Sequence, residues 1–355
     1  MDDTRYMQRA LELARRAEGS VSPRPPVGAV IVADDGEVLG EGYTRRKPGP
    51  HAEADALERA GERARGASVY VTLEPCNTKT SKPFACAELL IAAGVRRVVA
   101  AVTDPCPDVD GRGFAMLRDA GIDVEIGLQR DAAAAVVEPF AKWIRTDLPF
   151  VTLKIAMSLD GKVAAPDGTS HWITGTPARE QVHEMRRRVD AVLVGAGTVE
   201  IDDPQLTFRT PGLEGTQPLR VVVDSSGRTR PTSRMFDGDA PSLVVTTEDS
   251  VDPGWPEVIR VPRGEGGVDL GAALRELGRR GLCHVLVEAG PSLAGAFAAA
   301  KLVDRFVLYV APKIIGGDAP GAFASGVKTV TEAWNLEIEN ITRVGDDVRI
   351  DARMR

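Results

Sequence analysis

Three residues with metal-binding side chains are spaced in a way that could support hydrolytic chemistry. His51 opens a predicted helix, Cys76 ends a predicted strand, and Cys86 starts the next predicted helix. One imidazole and two thiolates suit zinc and leave its fourth position for water. Zinc would lower the pKa of that water toward neutrality and make hydroxide available. The pattern therefore predicts a catalytic zinc site on these three residues.

Glu53 follows His51 by two residues, a spacing that places its carboxylate beside the metal-bound water rather than on the metal. There it would take a proton from the water and pass protons to leaving ammonia. A His-x-Glu segment followed by Pro-Cys is the signature of zinc deaminases of cytosine and adenine. Nine residues separate Cys76 from Cys86, instead of the Cys-x-x-Cys spacing. A closed zinc site, or two unrelated buried cysteines, therefore remain as alternatives.

The elements that must position these residues alternate between strand and helix. Residues 27–126 predict a ββαβαβαβ order, with a hairpin turn at Asp34–Gly36, and hence a mixed sheet covered by helices. A boundary falls near Arg145–Pro149, and strand and helix patterns resume after it. The prediction is an α/β protein with two domains, 1–146 and 147–355.

Composition excludes several classes of protein. The 355 residues are 43% hydrophobic and 27% charged, an ordinary globular balance, and the net charge of −7 argues against a nucleic-acid-binding surface. No run of about 18 apolar residues predicts a membrane span. The charged N-terminus does not resemble a signal peptide, so we expect a cytoplasmic protein whose four cysteines are reduced.

Two turns in the second half follow predicted strands and could admit a cofactor. Gly195–Thr198 follows one strand, and Glu288–Ser292 follows another and precedes a helix whose N-terminus suits a phosphate or pyrophosphate. Neither is a complete G-x-G-x-x-G fingerprint, and simple strand-to-helix punctuation is the alternative. Lys154 and a predicted hairpin turn at Asp160-Gly161 are less informative.

Two arginines are candidates to hold a phosphate group. The guanidinium fork of Arg186 or Arg209 matches phosphate oxygens, although Arg186 could equally belong to a solvated helix face. Asp202 could orient a substrate or deliver a proton, or it could cap a helix or turn.

Motifs along nearly the whole chain resemble one family, the bifunctional riboflavin-biosynthesis deaminase/reductases. In the first half they are 25–32, 40–42, His51-Ala52-Glu53, 70–76, Cys86 and 111–113; in the second half they are 154–161, 170–175, 202–204, 206–207 and 288–290. The resemblance implies a cytidine-deaminase-like three-layer domain followed by a dihydrofolate-reductase-like domain. It also implies zinc-dependent deamination of a phosphorylated aminopyrimidine, and NADPH-dependent reduction of its ribose to a ribityl chain.

The resemblance also implies roles for individual residues. Zinc would be held by His51, Cys76 and Cys86, and Glu53 would be the catalytic proton shuttle. The substrate contacts of the reductase would be Ser170, Arg186, Leu206, Arg209 and Glu288. NADPH would be lined by Ala156, Trp172, Thr198, Asp202, Ser225, Gly290, Pro291, Ser292, Leu293, Ala294, Gly295 and Ala296. A homo-oligomer, most simply a dimer, is expected.

The chain departs from the family pattern around the deaminase substrate. Arg24 stands where asparagine is usual, Thr44 where histidine is usual, and Cys106 where asparagine is usual; the 77–85 loop, which includes Thr78, is also rewritten. Three interpretations stay open: the same compound is bound differently, a related pyrimidine is bound, or deamination is weak and the reductase carries the activity. A zinc-stabilised scaffolding protein with an inactive first domain is the alternative from another class.

Overall fold

A computed structural model describes residues 2–78, 84–209, 212 and 215–355. The chain divides into two compact units, Met1–Asp147 and Leu148–Arg355. No helix of the described residues is long and apolar enough to cross a membrane.

The first unit is built on a five-stranded sheet in the order β2-β1-β3-β4-β5. β1 runs antiparallel to β2 and β3, whereas β3, β4 and β5 are parallel, so the sheet is mixed as predicted. The elements are α1 Asp3–Ala17, β1 Gly28–Val32, β2 Val38–Tyr43, α2 Ala52–Ala60, β3 Ser68–Val71, α3 Cys86–Ala93, β4 Arg97–Ala100, α4 Arg112–Asp119, β5 Asp123–Ile126 and α5 Arg130–Thr146.

Glycines in the first two strands let helices approach the sheet from opposite faces. A Cβ on Gly28 would lie 1.9 Å from the Ala10 carbonyl oxygen of α1. A Cβ on Gly42 would lie 2.3 Å from the Ala52 carbonyl oxygen of α2. Gly42 pairs with Ala29, the neighbour of Gly28, and adjacent strand residues point to opposite faces. The sheet therefore lies between α1 and α2. A side chain larger than that of glycine at position 42 would prevent α2 from packing this close to the sheet.

The second unit is built on a nine-stranded sheet in the order β10-β9-β8-β7-β13-β6-β14-β16-β15. The first seven strands of this order are parallel, and β16 and β15 are antiparallel. The elements are β6 Phe150–Ser158, α6 Thr176–Arg187, β7 Ala191–Gly195, α7 Ala196–Asp202, β8 Leu219–Val223, β9 Ser242–Thr247, β10 Val258–Val261, β11 Arg263–Gly264, β12 Gly267–Val268, α8 Leu270–Arg279, β13 His284–Glu288, α9 Pro291–Ala299, β14 Arg305–Ala311, β15 Leu336–Val344 and β16 Asp347–Met354.

The turn at Asp160-Gly161 does not join neighbouring strands of this sheet, as a hairpin turn would. β6 pairs with β13 and β14, both parallel to it. The chain reverses only locally, where the Ser158 N–H donates to the Lys162 carbonyl at 2.8 Å. The Asp160 carboxylate instead accepts the N–H groups of Ile315 (3.1 Å) and Gly316 (2.7 Å). Asp160 therefore anchors the segment that follows β14.

Candidate active sites

The three predicted metal ligands lie together in the first unit. The His51 Nδ1 atom is 3.9 Å from the Cys76 sulfur and 3.5 Å from the Cys86 sulfur, and the three ligand atoms lie within 4.8 Å of one another. His51 is the residue that precedes α2, and Cys86 is the first residue of α3. The long Cys76–Cys86 connection thus returns to the same point.

The local charges of this site fit a metal bound by thiolates. The N-termini of α2 and α3 both point at the cluster, and the positive end of a helix dipole stabilises thiolate and hydroxide. The Cys86 N–H donates to the Cys76 sulfur at 3.4 Å. Glu53, buried in the first turn of α2, is the nearby carboxylate on the helix that His51 precedes. One imidazole, two thiolates and an adjacent buried carboxylate form a donor set suited to catalytic zinc.

A second buried carboxylate, Glu74, holds the segment that carries Cys76. It accepts the backbone N–H groups of Asp104 (3.1 Å), Gly111 (2.9 Å) and Gly113 (2.8 Å). A Cβ on Gly113 would lie 2.0 Å from the Pro75 carbonyl oxygen, so only glycine fits there. Glu74 was not among the predicted site residues, although its place before Pro-Cys and the distant Gly-x-Gly segment were signals of its role.

Arg24, one of the departures from the family pattern, is buried beside the zinc ligands. Its Nη1 atom donates to the carbonyls of Arg45 (3.1 Å) and Gly49 (2.7 Å), in the loop that leads to His51. Burial lowers the pKa of Arg24, and the charges of Cys86 and Cys76 oppose that shift. The guanidinium therefore supports the loop before His51 and lies within electrostatic reach of the thiolates.

The other departures have different surroundings. The Thr44 hydroxyl accepts the Val27 N–H at 3.2 Å, so it fastens the start of β1 to the end of β2. Asp104 accepts the Cys106 N–H at 2.8 Å, and burial raises the pKa of Asp104 to about 6. Thr78 is the last described residue before residues 79–83 of the rewritten loop, which lie outside the described residues.

In the second unit, Arg186 and Glu288 form a bidentate ion pair. The Nε and Nη2 atoms of Arg186 donate to the two Glu288 oxygens at 2.6 and 2.9 Å, and its Nη1 donates to the Thr207 carbonyl at 3.0 Å. Both side chains are only 12% exposed. Although burial opposes ionisation, the Arg186 guanidinium keeps the pKa of Glu288 below its usual value. The alternative interpretation, that Arg186 belongs to a solvated helix face, is therefore wrong.

Lys154 joins this pair across the sheet. It lies opposite Glu288 in the register of β6 and β13. Burial lowers the pKa of Lys154, and the Glu288 carboxylate opposes that shift. Glu288 at the carboxyl-terminal end of β13, Lys154 on β6 and Arg186 on α6 thus form a cluster of two cations and one carboxylate. Open α/β sheets bind ligands in the region beyond such strand ends.

Three other residues, Arg209, Leu206 and Ser170, were predicted to contact the substrate of the reductase. Arg209 hydrogen bonds to the Gln205 side chain, and burial lowers the pKa of Arg209. Leu206 has a buried side chain and a φ of 57°. Ser170 lies in the loop between β6 and α6.

Several predicted cofactor residues gather at the ends of β7 and β13. A Cβ on Gly290, which precedes α9, would lie 3.8 Å from the Thr198 hydroxyl, and one on Gly195 would lie 3.5 Å from Leu293. Pro291 and Ser292 form the first turn of α9. The two turns predicted from the sequence are thus adjacent in space.

The remaining cofactor candidates have other neighbours. Ala294 is fully buried, and a Cβ on Gly295 would lie 2.2 Å from the Ser325 hydroxyl, so both face protein. The Asp202 carboxylate is 4.0 Å from the His171 ring nitrogen Nδ1. Trp172 is exposed, and the Arg179 guanidinium covers its ring at 4.5 Å. The last three are Ala156, on β6, Ser225, just after β8, and Ala296, within α9.

Comparisons with known proteins cover both units. The family described as "Cytidine and deoxycytidylate deaminase zinc-binding region" matches residues 1–102, and the family described as "RibD C-terminal domain" matches residues 149–350. The riboflavin biosynthesis protein RibD of Escherichia coli (strain K12) is 43% identical over 98% of each chain. RibD of Mycobacterium tuberculosis (strain ATCC 25618 / H37Rv) is 39% identical over 96% of this chain and 94% of its own.

Solved structures agree with the sequence relatives. Acinetobacter baumannii RibD (form 1) is 37% identical with a TM-score of 0.88, over 99% of both chains. The diaminohydroxyphosphoribosylaminopyrimidine deaminase/5-amino-6-(5-phosphoribosylamino)uracil reductase of Thermotoga maritima is 35% identical with a TM-score of 0.89, also over 99% of both. The predicted fold class, a cytidine-deaminase-like domain followed by a dihydrofolate-reductase-like domain, is confirmed. With these matches over nearly its whole length, the chain belongs to the RibD family of bifunctional riboflavin-biosynthesis enzymes, which pair a zinc-dependent deaminase with an NADPH-dependent reductase.

Proposed function

We propose that this chain carries out two consecutive steps on one phosphoribosylated pyrimidine. The first is hydrolytic replacement of a ring amino group by oxygen, and the second is reduction of the ribose to a ribityl chain. The substrate is the diaminohydroxyphosphoribosylaminopyrimidine named for the Thermotoga maritima protein. The observation that carries this proposal is the cluster of His51, Cys76 and Cys86 with buried Glu53 beside it.

In the deamination step, His51, Cys76 and Cys86 hold the metal, and Glu53 moves the protons. Zinc supplies a Lewis acid that makes hydroxide available near neutral pH. Glu53 accepts a proton from the attacking water and returns protons to the departing amine. Its burial in the first turn of α2 keeps bulk water from competing for that role.

In the reduction step, Arg186 and Arg209 bind the phosphate of the ribose chain. A guanidinium has five N–H donors, and three of those on Arg186 are used by Glu288 and Thr207. Two remain for phosphate oxygens. Glu288 fixes the orientation of Arg186, and the Lys154 ammonium adds a second positive charge to the cluster.

NADPH would supply the hydride, and the residues around Gly290 would position the cofactor. The N-terminus of α9 suits the pyrophosphate, because the positive end of the helix dipole and the backbone N–H groups of a helix's first turn attract anions. Thr198 and Asp202 from α7 and Trp172 from the loop before α6 complete the cofactor site in this proposal.

Product analysis by mass spectrometry tests both steps. Purified protein of measured zinc content would receive the diaminopyrimidinone ribose phosphate with and without NADPH. We expect a gain of about 1 Da without NADPH, from NH replaced by O, and a further gain of about 2 Da with it. Glu53→Gln is expected to abolish the first change while the second remains measurable on deaminated substrate. Zinc-loaded protein that produces no first mass change would refute the proposed substrate.

We also propose that the enzyme is a cytoplasmic homodimer. No disulfide joins its four cysteines, all of which lie among the described residues, and this fits a reducing compartment. β15 is the outermost strand of its sheet, and Ile338, Ile341 and Val348 project from one face of β15 and β16 with exposed fractions of 57%, 60% and 37%. Exposed apolar side chains beside an unpaired strand edge favour pairing with the same strand of a second copy.

A further inference from the structure

The segment that follows α7, residues 203–209, is fastened at both ends by side chains from elsewhere in the second unit or within the segment itself. At its start, the Asp203 carboxylate accepts the Arg234 N–H at 2.8 Å. Near its end, the Gln217 side chain accepts the Phe208 N–H at 3.0 Å and donates to the Phe208 carbonyl at 2.9 Å. The backbone of this segment therefore has a fixed position from which its side chains project.

The side chain of Gln205, in the middle of the segment, links Arg209 to Asp237. Its amide oxygen accepts a hydrogen bond from the Nη1 atom of Arg209, and its amide nitrogen donates to the Oδ2 atom of Asp237 at 3.2 Å. The oxygen of an amide only accepts and the nitrogen only donates, so these two bonds allow one orientation of the Gln205 side chain. Gln205 thus transmits the position of Asp237 to the guanidinium of Arg209.

Asp237 is itself held by a buried arginine of the large sheet. The Nη1 atom of Arg220, on β8, donates to the Oδ1 atom of Asp237 at 2.8 Å, and the Arg220 side chain is fully buried. Chiefly because of this hydrogen bond, the pKa of Asp237 falls to about 2. Arg220, Asp237 and Gln205 therefore form a chain of hydrogen bonds that runs from the interior of the sheet to the exposed Arg209.

Arg209 needs this support, because its position is electrostatically unfavourable when no anion is bound. Partial burial and the charges of Arg186 and Arg234 lower the pKa of Arg209, and the charge of Asp237 opposes that shift. An exposed arginine that is free to rotate gains entropy and avoids repulsion by moving away from a second guanidinium. The Nε and Nη2 atoms of Arg209 have no hydrogen bond to a described residue, so they remain as donors for an anion.

We propose that Gln205 and Asp237 are positioning residues of the reductase, which direct Arg209 toward the phosphate group of the substrate. This inference rests on the proposed function, in which Arg186 and Arg209 bind that phosphate. Since Gln205 already holds the guanidinium of Arg209 near Arg186, a phosphate that enters does not have to order the side chain first. Such preorganisation strengthens binding of the phosphorylated substrate and leaves the hydride-transfer step unchanged.

Steady-state kinetics of the reduction step on the full-length protein test the proposal. The substrate would be the deaminated pyrimidine, either with its ribose phosphate or with the phosphate removed. Gln205→Met keeps the length of the side chain but removes its donor and its acceptor. We expect it to raise the KM for the phosphorylated substrate about 10-fold, with kcat and the KM for NADPH unchanged. For the dephosphorylated compound, kcat/KM should stay within about twofold of the wild type. Asp237→Asn should raise the same KM, because it replaces one acceptor with a donor.

A double-variant cycle distinguishes positioning from a merely structural role. If Gln205 acts through Arg209, Gln205→Met should cause no further rise in KM when it is added to Arg209→Ala. The matched control is Asp239→Asn, which removes the same charge from an exposed side chain two residues from Asp237. It keeps the Asp239 N–H that donates to Asp237 at 2.9 Å, so its kinetics should equal those of the wild type.

Three results would overturn the proposal while turnover by the wild type still supports the reductase function. They are an unchanged KM in Gln205→Met, an equal loss for the phosphorylated and dephosphorylated compounds, and additive effects of Gln205→Met and Arg209→Ala. Wild-type protein that reduces neither compound would overturn the proposed function and this inference together.

Discussion

Single side chains in both units complete contacts between segments that are distant in the sequence. Arg24 reaches the loop that leads to the zinc ligand His51, and Arg186 reaches Glu288 on another strand end. Each is largely buried and charged, and each donates to acceptors on a segment distant in the sequence. Removing either side chain leaves partly buried polar partners without a donor, which costs more than the bond itself is worth.

Arg24→Ala should lower the free energy of unfolding of the first unit by about 2–4 kcal/mol, because the Arg45 and Gly49 carbonyls lose their donor. Zinc should also be lost to a chelator more readily, since the same loop leads into His51. Urea denaturation and a zinc competition assay measure the two effects. The control is Arg46→Ala, an exposed neighbour. If Arg24→Ala unfolded at the same urea concentration as the wild type, Arg24 would not stabilise the loop before His51.

The residues that motifs could predict are those whose chemistry requires one residue type. His51, Cys76 and Cys86 were predicted to converge and do so. The role of Glu74 was not predicted, because its partners are backbone N–H groups more than 30 positions away on average, and neither the Glu-Pro-Cys segment nor the Gly-x-Gly segment shows that the two meet. The Arg186–Glu288 pair was likewise beyond a local pattern, since 102 positions separate the two residues.

At the scale of elements, β13 brings an uncharged histidine into the centre of the larger sheet. His284 begins β13 opposite Phe150 of β6, and their rings pack edge to face with centroids 5.4 Å apart. Its Nε2 lies 2.9 Å from the Thr152 hydroxyl. Burial, with Arg305 nearby, lowers the pKa of His284 from 6.5 to about 3. The sheet therefore accommodates only the neutral ring at ordinary pH.

The stability of the second unit should consequently depend on pH through His284. The pKa of His284 is lower in the folded protein than in the unfolded protein. The contribution of the neutral ring to the free energy of unfolding is therefore complete above pH 6.5 and is lost as the pH falls toward 3. The loss is about 1.4 kcal/mol per pH unit. Urea denaturation between pH 7 and pH 4.5 should show that the free energy of unfolding of the wild type falls with this dependence on pH. In His284→Gln, the free energy of unfolding should depend on pH less steeply, by the same amount. Parallel curves for the two proteins would contradict it.

Element types followed from periodicity, but their ends and packing distances did not. His51 was predicted to open a helix, but the pattern did not show where that helix stops. Gly61, with a φ of 57°, ends α2, and residues 61–64 form a short 3-10 turn. The close approach of α2 to Gly42 has no hydrophobic signature, because what matters there is a missing side chain. Asp160 was predicted within a hairpin, whereas its carboxylate binds a segment about 155 residues away.

At the scale of the whole molecule, the outer strand of the nine-stranded sheet, β15, is the feature that bears on self-association. β15 and β16 share a face whose inner end, at Ala352, is buried in the core. The same face continues outward through Ile338 and Ile341, which are exposed. A second copy would bury this extension and satisfy the strand edge together.

Ile341→Asp should therefore convert a dimer into a monomer, measured by light scattering coupled to size-exclusion chromatography. A carboxylate at a buried apolar contact loses its hydration without gaining a partner. The control is Thr342→Asp, which adds the same charge on the opposite face of β15. A dimer that persists in Ile341→Asp, or dissociates equally in both variants, would place the interface elsewhere.

The network around Glu74 has a consequence for how the enzyme matures. Its carboxylate fastens the Pro75–Cys76 segment to residues 104–114 through protein atoms alone. The scaffold of the first unit can therefore assemble before the ion arrives, unlike a small zinc finger that collapses only around its metal. We therefore expect zinc to bind after the first unit has folded. The cell's zinc supply would then govern how many molecules are competent to deaminate, rather than how many are folded.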